Sequence, residues 1–296
     1  MGKTGLVLEG GGMRGAYTAG VLTWLIDQGI EFDYGVGISA GAMNLCSFAM
    51  RNKQYLYDVG VIYMPDKRNV GLNPLLKERH YVGYDFMFDR LLKDTIHYKL
   101  DALRKSPMEI EIGFFNLNTS KVGWGKKQEL DDDLRLLKGA CTLPLAGSPV
   151  PYRDGLYIDG GVTTMVPIKR SLGYGCDKHL VIVTKDESYV RKPSSKLLLN
   201  TSKMAYHNQA LIDALKIRSD VYYEEMNLVD DLQKEGKALL LRPSKNLGVK
   251  RFSGDAEALK QLFELGRADC ERQKAELLGF FSKQLDSWTD KCSMGL

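Results

Sequence analysis

No long apolar run is present. The 296-residue chain is 44% hydrophobic, yet none of its apolar stretches approaches the about 20 residues a spanning helix needs. Near the N-terminus, Leu6-Val7-Leu8 is too short for a secretory core and runs straight into glycines. Leu6 also stands where a myristoylation signal wants Ser or Thr. Cysteine is scarce: the five residues Cys46, Cys141, Cys176, Cys270 and Cys292 are widely spaced and form no C-x-x-C. Neither a disulfide framework nor a zinc site is expected, and a reducing cytoplasm is the natural setting. Charge of one sign is missing too. The 41 basic and 37 acidic residues leave +4, and they are interspersed, as where Asp66 adjoins Lys67-Arg68. That argues against nucleic acid, which calls for a concentrated basic stripe. Histidine is rare, at four: His80, His97, His179 and His207.

Against these absences stand three glycine-rich motifs in fixed order: Gly10-Gly11-Gly12-Met13-Arg14-Gly15, Gly37-Ile38-Ser39-Ala40-Gly41, and Asp159-Gly160-Gly161. A strand over 4–9 precedes the first, and a helix over 16–28 follows it, ended by Gly29. A second strand over 34–38 leads into Ser39, which opens a helix to about Met50. This β-loop-α-β-turn-α order begins a parallel α/β sheet.

Gly-x-Ser-x-Gly between strand and helix suits a nucleophile. The turn is strained, its neighbours must be small, and the hydroxyl stands at a helix N-terminus. Ser39 serving only as a helix cap is the plainer alternative. A histidine base is not expected. His80 and His97 precede the acid, His179 starts a strand, and His207 falls inside a long helix. Ser39 also follows only two strands, too early for an α/β-hydrolase nucleophile. Asp159, ending a strand before Gly160-Gly161, is the better base, against a mere turn-shaping role.

The glycine loop has two readings. Gly10, Gly12 and Gly15 match the dinucleotide fingerprint, which wants an acid at the far end of the second strand. Glu31 and Asp33 lie at the wrong end, and Ser39 occupies the far one. The loop is therefore expected to offer N–H groups of Gly10, Gly11, Gly12 and Met13 to an oxyanion, with Arg14 either adding charge or holding the loop through carbonyl contacts. Nucleotide binding and a catalytically silent interaction domain stay open as alternatives.

Residues 51–107 are dense in Tyr and Phe, among them Tyr55, Tyr57, Tyr63, Tyr81, Tyr84, Phe86, Phe88 and Tyr98. They read as a helical insertion, lining an acyl pocket or packing as its own core. With Lys67, Arg68, Lys77, Arg79, Arg90 and Lys93 it is the candidate for transient membrane-surface contact. Strands are expected over 109–116, 122–126, 156–159, 179–184 and 238–241. Asp131-Asp132-Asp133 places acids in the first turn of a helix to about Cys141, a dipole arrangement rather than a metal site. A long helix over 194–225 and a closing helical segment over 255–288 complete the chain.

Together the motifs resemble the patatin-like phospholipase family, whose members carry a G-G-G-x-R/K-G loop, a G-x-S-x-G elbow and a D-G-G/A acid motif. The likeness spans about residues 4–185. It implies a three-layer α/β/α fold with a mostly parallel sheet and, here, a C-terminal helical extension. It also implies a Ser39–Asp159 dyad without histidine, hydrolysis of lipid acyl esters, and no metal or cofactor. Gly15, Gly37, Gly41, Gly160 and Gly161 would be the motifs' structural glycines. The expected division is 1–190, catalytic, and 191–296, completing the fold and extending it. Two departures stand out: Glu9 where Asp is frequent, and Thr164-Met165-Val166-Pro167 where an Asn-containing stretch is common, leaving the acid loop's support unassigned.

Overall fold

The computed structural model describes residues 2–281. Eight strands form one sheet: β1 (Lys3–Leu8), β2 (Tyr34–Ile38), β3 (Glu109–Asn116), β4 (Lys121–Lys126), β5 (Val150–Tyr152), β6 (Gly155–Asp159), β7 (Cys176–Ile182) and β8 (Ala238–Leu241). Their order is β5-β6-β3-β2-β1-β7-β8, with β4 paired to β3. β1, β2, β3, β7 and β8 run parallel, while β4, β5 and β6 add an antiparallel end. β5 lies where the sequence suggests only a Pro- and Gly-rich loop. Its Pro151 sits in the terminal strand, where a missing N–H is tolerated.

The helices are α1 (Gly15–Asp27), α2 (Ala40–Ala49), α3 (Lys53–Tyr57), α4 (Leu72–Lys77), α5 (Asp101–Lys105), α6 (Arg135–Cys141), α7 (Ile168–Tyr174), α8 (Lys196–Tyr206), α9 (Gln209–Lys234) and α10 (Ala256–Arg272). Alternate residues of β1 divide between two cores, as a sheet covered on both faces requires. Leu6 and Leu8 pack with α1, α2 and α10, whereas Val7 joins Ile168 of α7 and Tyr222 of α9. The fold is thus mixed α/β with helices on both faces of the sheet. Helix α1 is buried over residues 15–25 because α10 covers the side the sheet does not. Their backbones approach so closely that a Cβ on Gly20 would lie 2.0 Å from the Phe263 carbonyl oxygen.

Several boundaries differ from expectation. The helix expected over 194–225 is two. His207 takes a left-handed conformation (φ 47°), and Asn208 starts α9 by accepting the Leu211 N–H at 3.0 Å. Asn208 is a cap signal in the sequence, so His207 lies in a turn, not inside a helix. The acidic triplet precedes its helix. Asp131 accepts the N–H groups of Arg135 and Leu136 (3.0 and 3.1 Å), while Asp132 and Asp133 pair with Arg104 and Lys93. A turn at Gln273 follows α10, and helix resumes over 274–281. The expected continuation over 282–288, and Cys292, lie outside the described residues.

The insertion over 51–107 is helical, with π-helical turns at Asp58–Tyr63 and Phe86–Thr95. Of its aromatic residues Tyr84, Phe88 and Tyr98 are buried, Tyr55, Tyr57, Tyr63 and Phe86 are half-buried, and Tyr81 is exposed. Its most exposed apolar side chains are instead two leucines of α4, Leu72 and Leu76, at 77 and 83% exposure. Among the described residues no helix is long and apolar enough to cross a membrane.

Candidate active site

Strand pairing brings the serine and aspartate motifs together. Ile38, the last residue of β2, pairs with Gly113 of β3, and Asp159, the last of β6, pairs with the next residue, Phe114. Residues far apart in sequence thus end at neighbouring places on β3. Ser39 leaves β2 in a strained conformation (φ 55°, ψ −125°), one that an L-residue adopts at a cost of about 1–3 kcal/mol. Its carbonyl then accepts the N–H groups of Ala42 and Met43 (2.8 and 3.2 Å), and its side chain caps nothing. The flanking glycines are required by space. A Cβ on Gly37 would sit 2.7 Å from the Gly41 carbonyl oxygen, and one on Gly41 would sit 2.7 Å from those of Leu8 and Glu9.

The glycine loop passes beside this turn. A Cβ on Gly10 would lie 3.1 Å from that of Ser39. Among the described hydrogen bonds, none is donated by the N–H of Gly10, Gly11 or Gly12. The N–H of Met13 differs from expectation: it donates to the Arg251 carbonyl at 3.0 Å. Arg14 opens on a neighbouring cavity with Lys185 and Tyr189, not on the pocket lined by Ser39 and Asp159. Gly12 (φ 58°) is pressed against the Arg251 backbone.

Asp159 is 1% exposed. Its Oδ1 accepts the Gly161 N–H at 2.6 Å, which shapes the turn, and its Oδ2 has no well-formed partner. Burial pushes the carboxyl above its ordinary range. The Ser39 hydroxyl, the Gly161 N–H and the Arg218 and Arg251 guanidinium groups pull it back without cancelling that rise. Ser39 and Asp159 line the same pocket, and catalytic hydrogen bonds are often long or poorly aligned before substrate arrives. A basic carboxylate beside a strained hydroxyl can accept a proton from it.

Support for this pocket comes from residues outside the motifs. Glu9 is fully buried and holds the ends of β1 and β7 together, accepting Thr184 N–H at 2.7 Å and Oγ1 at 2.9 Å and pairing with Lys185. Burial opposes its ionisation, but Lys185 and Thr184 outweigh burial and leave its pKa low. Burial, aided by Arg14 and Arg191, pushes Lys185 down to about 8, opposed by Glu9. Glu225 of α9 accepts the N–H groups of Met165 and Val166 (3.1 and 2.9 Å) and so supports the acid loop that lacks the family's Asn-containing stretch. Arg191, Arg218 and Arg251 line the pocket with Ser39 and Asp159. None of these carries a local motif, so sequence reasoning could not assign them.

Among the described residues, no histidine lines the pocket. His80 meets the Ser148 Oγ at 2.7 Å. His179, expected to start a strand, lies instead in the middle of β7, buried against Ser171, and burial lowers it to about 4. Asp33, the nearest acid to the one a dinucleotide would need, accepts from Thr4 N and Oγ1 (2.7 and 3.0 Å). It sits at the opposite end of β2 from Ser39.

A strained serine turn, a glycine loop and an aspartate turn thus meet where the parallel strands of a mixed α/β sheet end. The patatin-like phospholipase family matches residues 6–171, more than half the chain, and the chain belongs to that family. A domain of unknown function, DUF6363, matches residues 208–282. Among relatives, YjjU of Escherichia coli K12, an uncharacterised protein, is 22% identical over 284 residues, covering 90% of this chain and 75% of YjjU. Probable lipid hydrolase 463L of Invertebrate iridescent virus 6 is 24% identical over 184 residues, 57% of this chain and 63% of the viral protein. The crystal structure of VipD from Legionella pneumophila aligns with a TM-score of 0.47 at 12% identity, over 92% of this chain and 66% of VipD. Family membership points to lipid acyl hydrolysis.

Proposed function

We propose that this chain is a serine-dependent lipid acyl hydrolase acting on carboxylic esters of lipids or phospholipids. Ser39 Oγ attacks the ester carbonyl carbon while Asp159 takes the hydroxyl proton. The negative charge moves to the carbonyl oxygen, where the N–H groups of Gly11 and Gly12 stabilise it, an effect worth about 3 kcal/mol per donor. Collapse breaks the carbon–alkoxy bond, and Asp159 returns the proton to the departing alcohol. Water, deprotonated by Asp159, then releases the acid and restores Ser39. No cofactor or metal is needed for these steps.

The observation that carries this reading is the register on β3, which sets the ends of β2 and β6 side by side. Beside the glycine loop an apolar slot lined by Met13, Met43, Val59 and Met64 suits an acyl chain, since methionine adapts to irregular apolar shapes. The engagement of Asp33 by Thr4 disfavours the nucleotide-binding reading. We place the enzyme in the cytoplasm, touching a bilayer transiently through the exposed leucines of α4, with Lys77 and Arg79 nearby.

Fluorophosphonate labelling with mass spectrometry tests the proposal. Wild type should carry the label on Ser39, and Ser39→Ala should lose both label and ester turnover while melting as before. No labelling and no turnover in folded wild type would favour the silent domain, and micromolar NAD or ATP binding would favour the nucleotide reading.

A further inference from the structure

The pocket around Ser39 holds more positive charge than the fold balances. Arg191, Arg218 and Arg251 line it, and the same three line the open cavity that continues from it beside residues 189–195 and α9. They face one carboxylate, Asp159. The remaining cation of the wall, Lys185, is matched by Glu9. Arg191 is only 7% exposed, yet its Nη1 has no hydrogen-bond partner, and neither has the buried Nε of Arg218. Arg191 is held in place over the Tyr222 ring, its guanidinium carbon 5.1 Å from the centroid. Arg218 lies against the acid turn: a Cβ on Gly161 would be 3.6 Å from its Nη2.

Gathering like charges in a partly buried wall is costly. An unpaired buried guanidinium costs several kcal/mol, and buried donors in native folds find acceptors. Burial, with Arg251 and Arg191 adding repulsion, pushes Arg218 down to about 9. A guanidinium keeps its charge at neutral pH all the same, so the repulsion persists until an anion arrives. Three separate elements supply the cluster: the loop after β7, α9, and the loop before α10. All three lie beyond the family match at 6–171. The apolar slot shares Gly12 with the pocket but opens among different side chains.

We propose that Arg191, Arg218 and Arg251 form an anion subsite that holds the phosphate of the acyl-ester substrate, its acyl chain lying in the methionine-lined slot. The proposal rests on the hydrolase reading above. Guanidinium forks match phosphate oxygens two at a time, and a phosphate one glycerol unit from the ester would neutralise the excess charge. The segment beyond residue 171 then carries the specificity of a pocket whose reacting groups come from the family-matched residues 6–171.

Two measurements on the full chain test it. In the first, glycerol 3-phosphate and inorganic phosphate are titrated calorimetrically into Ser39→Ala, alone and combined with Arg191→Gln or Arg218→Gln. Binding of glycerol 3-phosphate should weaken at least tenfold in each Arg variant, with Arg191→Lys intermediate and thermal melts confirming folding. In the second, kcat/KM is compared between a 1-acylglycerol 3-phosphate and the corresponding monoacylglycerol. Wild type should favour the phosphate ester, and the Arg variants should cut that preference at least tenfold. Equal loss on both esters, or unchanged phosphate binding in the variants, overturns the proposal. Tight binding of inorganic phosphate without any preference between the esters assigns the site to the free ion and overturns it as well. If wild type hydrolyses neither ester, the hydrolase reading fails, and the titration alone decides whether the anion site stands.

Discussion

Asp159→Asn probes the proposed dyad with little change of shape. The Asn carbonyl can occupy the position of Oδ1 and keep the 2.6 Å bond from Gly161 N–H, so the turn survives. The amide nitrogen falls where Oδ2 now lacks a partner. It offers Ser39 a donor where the reaction needs an acceptor. Losing a positioned general base costs about 10²–10⁴ in rate, equivalent to roughly 3–5 kcal/mol of barrier. Stability should move the other way. The carboxyl's pKa is raised from 3.8, burial outweighing even Arg218 and Arg251. A folded-state pKa above the unfolded one means the native protein holds the proton to higher pH. Its stabilising contribution is present below the unfolded pKa and is lost as pH rises through the folded one. At pH 7 the neutral amide should therefore leave the melting temperature unchanged or raise it. The assay is turnover of a short-chain p-nitrophenyl ester beside a thermal melt. A well-folded variant within about tenfold of wild type would refute Asp159 as the base.

Three further outcomes are expected. Single replacement of His80, His97, His179 or His207 should leave ester turnover within about tenfold, after allowing for stability losses; a collapse in one folded variant would restore a triad. Glu225 is pushed by burial from 4.5 to about 8, so its contribution to stability is lost as pH rises between those values; Glu225→Gln should flatten the wild-type decline in urea midpoint, at most about 1.4 kcal/mol per pH unit, and an unchanged slope would exclude Glu225 as its source. Replacing both Leu72 and Leu76 with Ser should weaken co-sedimentation with anionic vesicles at least about tenfold, since burying a leucine is worth about 1.5–3 kcal/mol; equal binding by wild type and variant would remove α4 from any bilayer contact.

Much of the first half was legible because its signals are local. Strand β1, the glycine loop, α1, β2 and the serine turn follow one another closely along the chain, each marked by apolar periodicity or by glycine. Asp159 could be singled out because an acid at a strand end before two glycines is a short-range pattern. What stayed hidden depends on long-range approach. Nothing near Arg251 reveals that its carbonyl takes the Met13 N–H, so the loop offers fewer donors than its sequence suggests. Nothing near Glu225 marks it as the support of residues 165–166. The helix break at His207-Asn208 was readable from the asparagine but was masked by the helix-favouring residues around it. In the insertion, aromatic content alone could not separate core from surface. Tyr84 and Phe88 turned inward, and the most exposed apolar positions fell to leucines.

The bond from Met13 N–H to the Arg251 carbonyl sets an order of events in time. During synthesis Ser39 and the glycine loop leave the ribosome early, but the residue that fixes the loop comes more than two hundred positions later. At about 5–20 residues per second, roughly 12–48 s separate the two. Over that interval the chain has Ser39 without a settled loop, without Glu225 under the acid turn, and without the arginine wall. The pocket around Ser39 and Asp159 is thus completed only once the residues through Arg251 have been made.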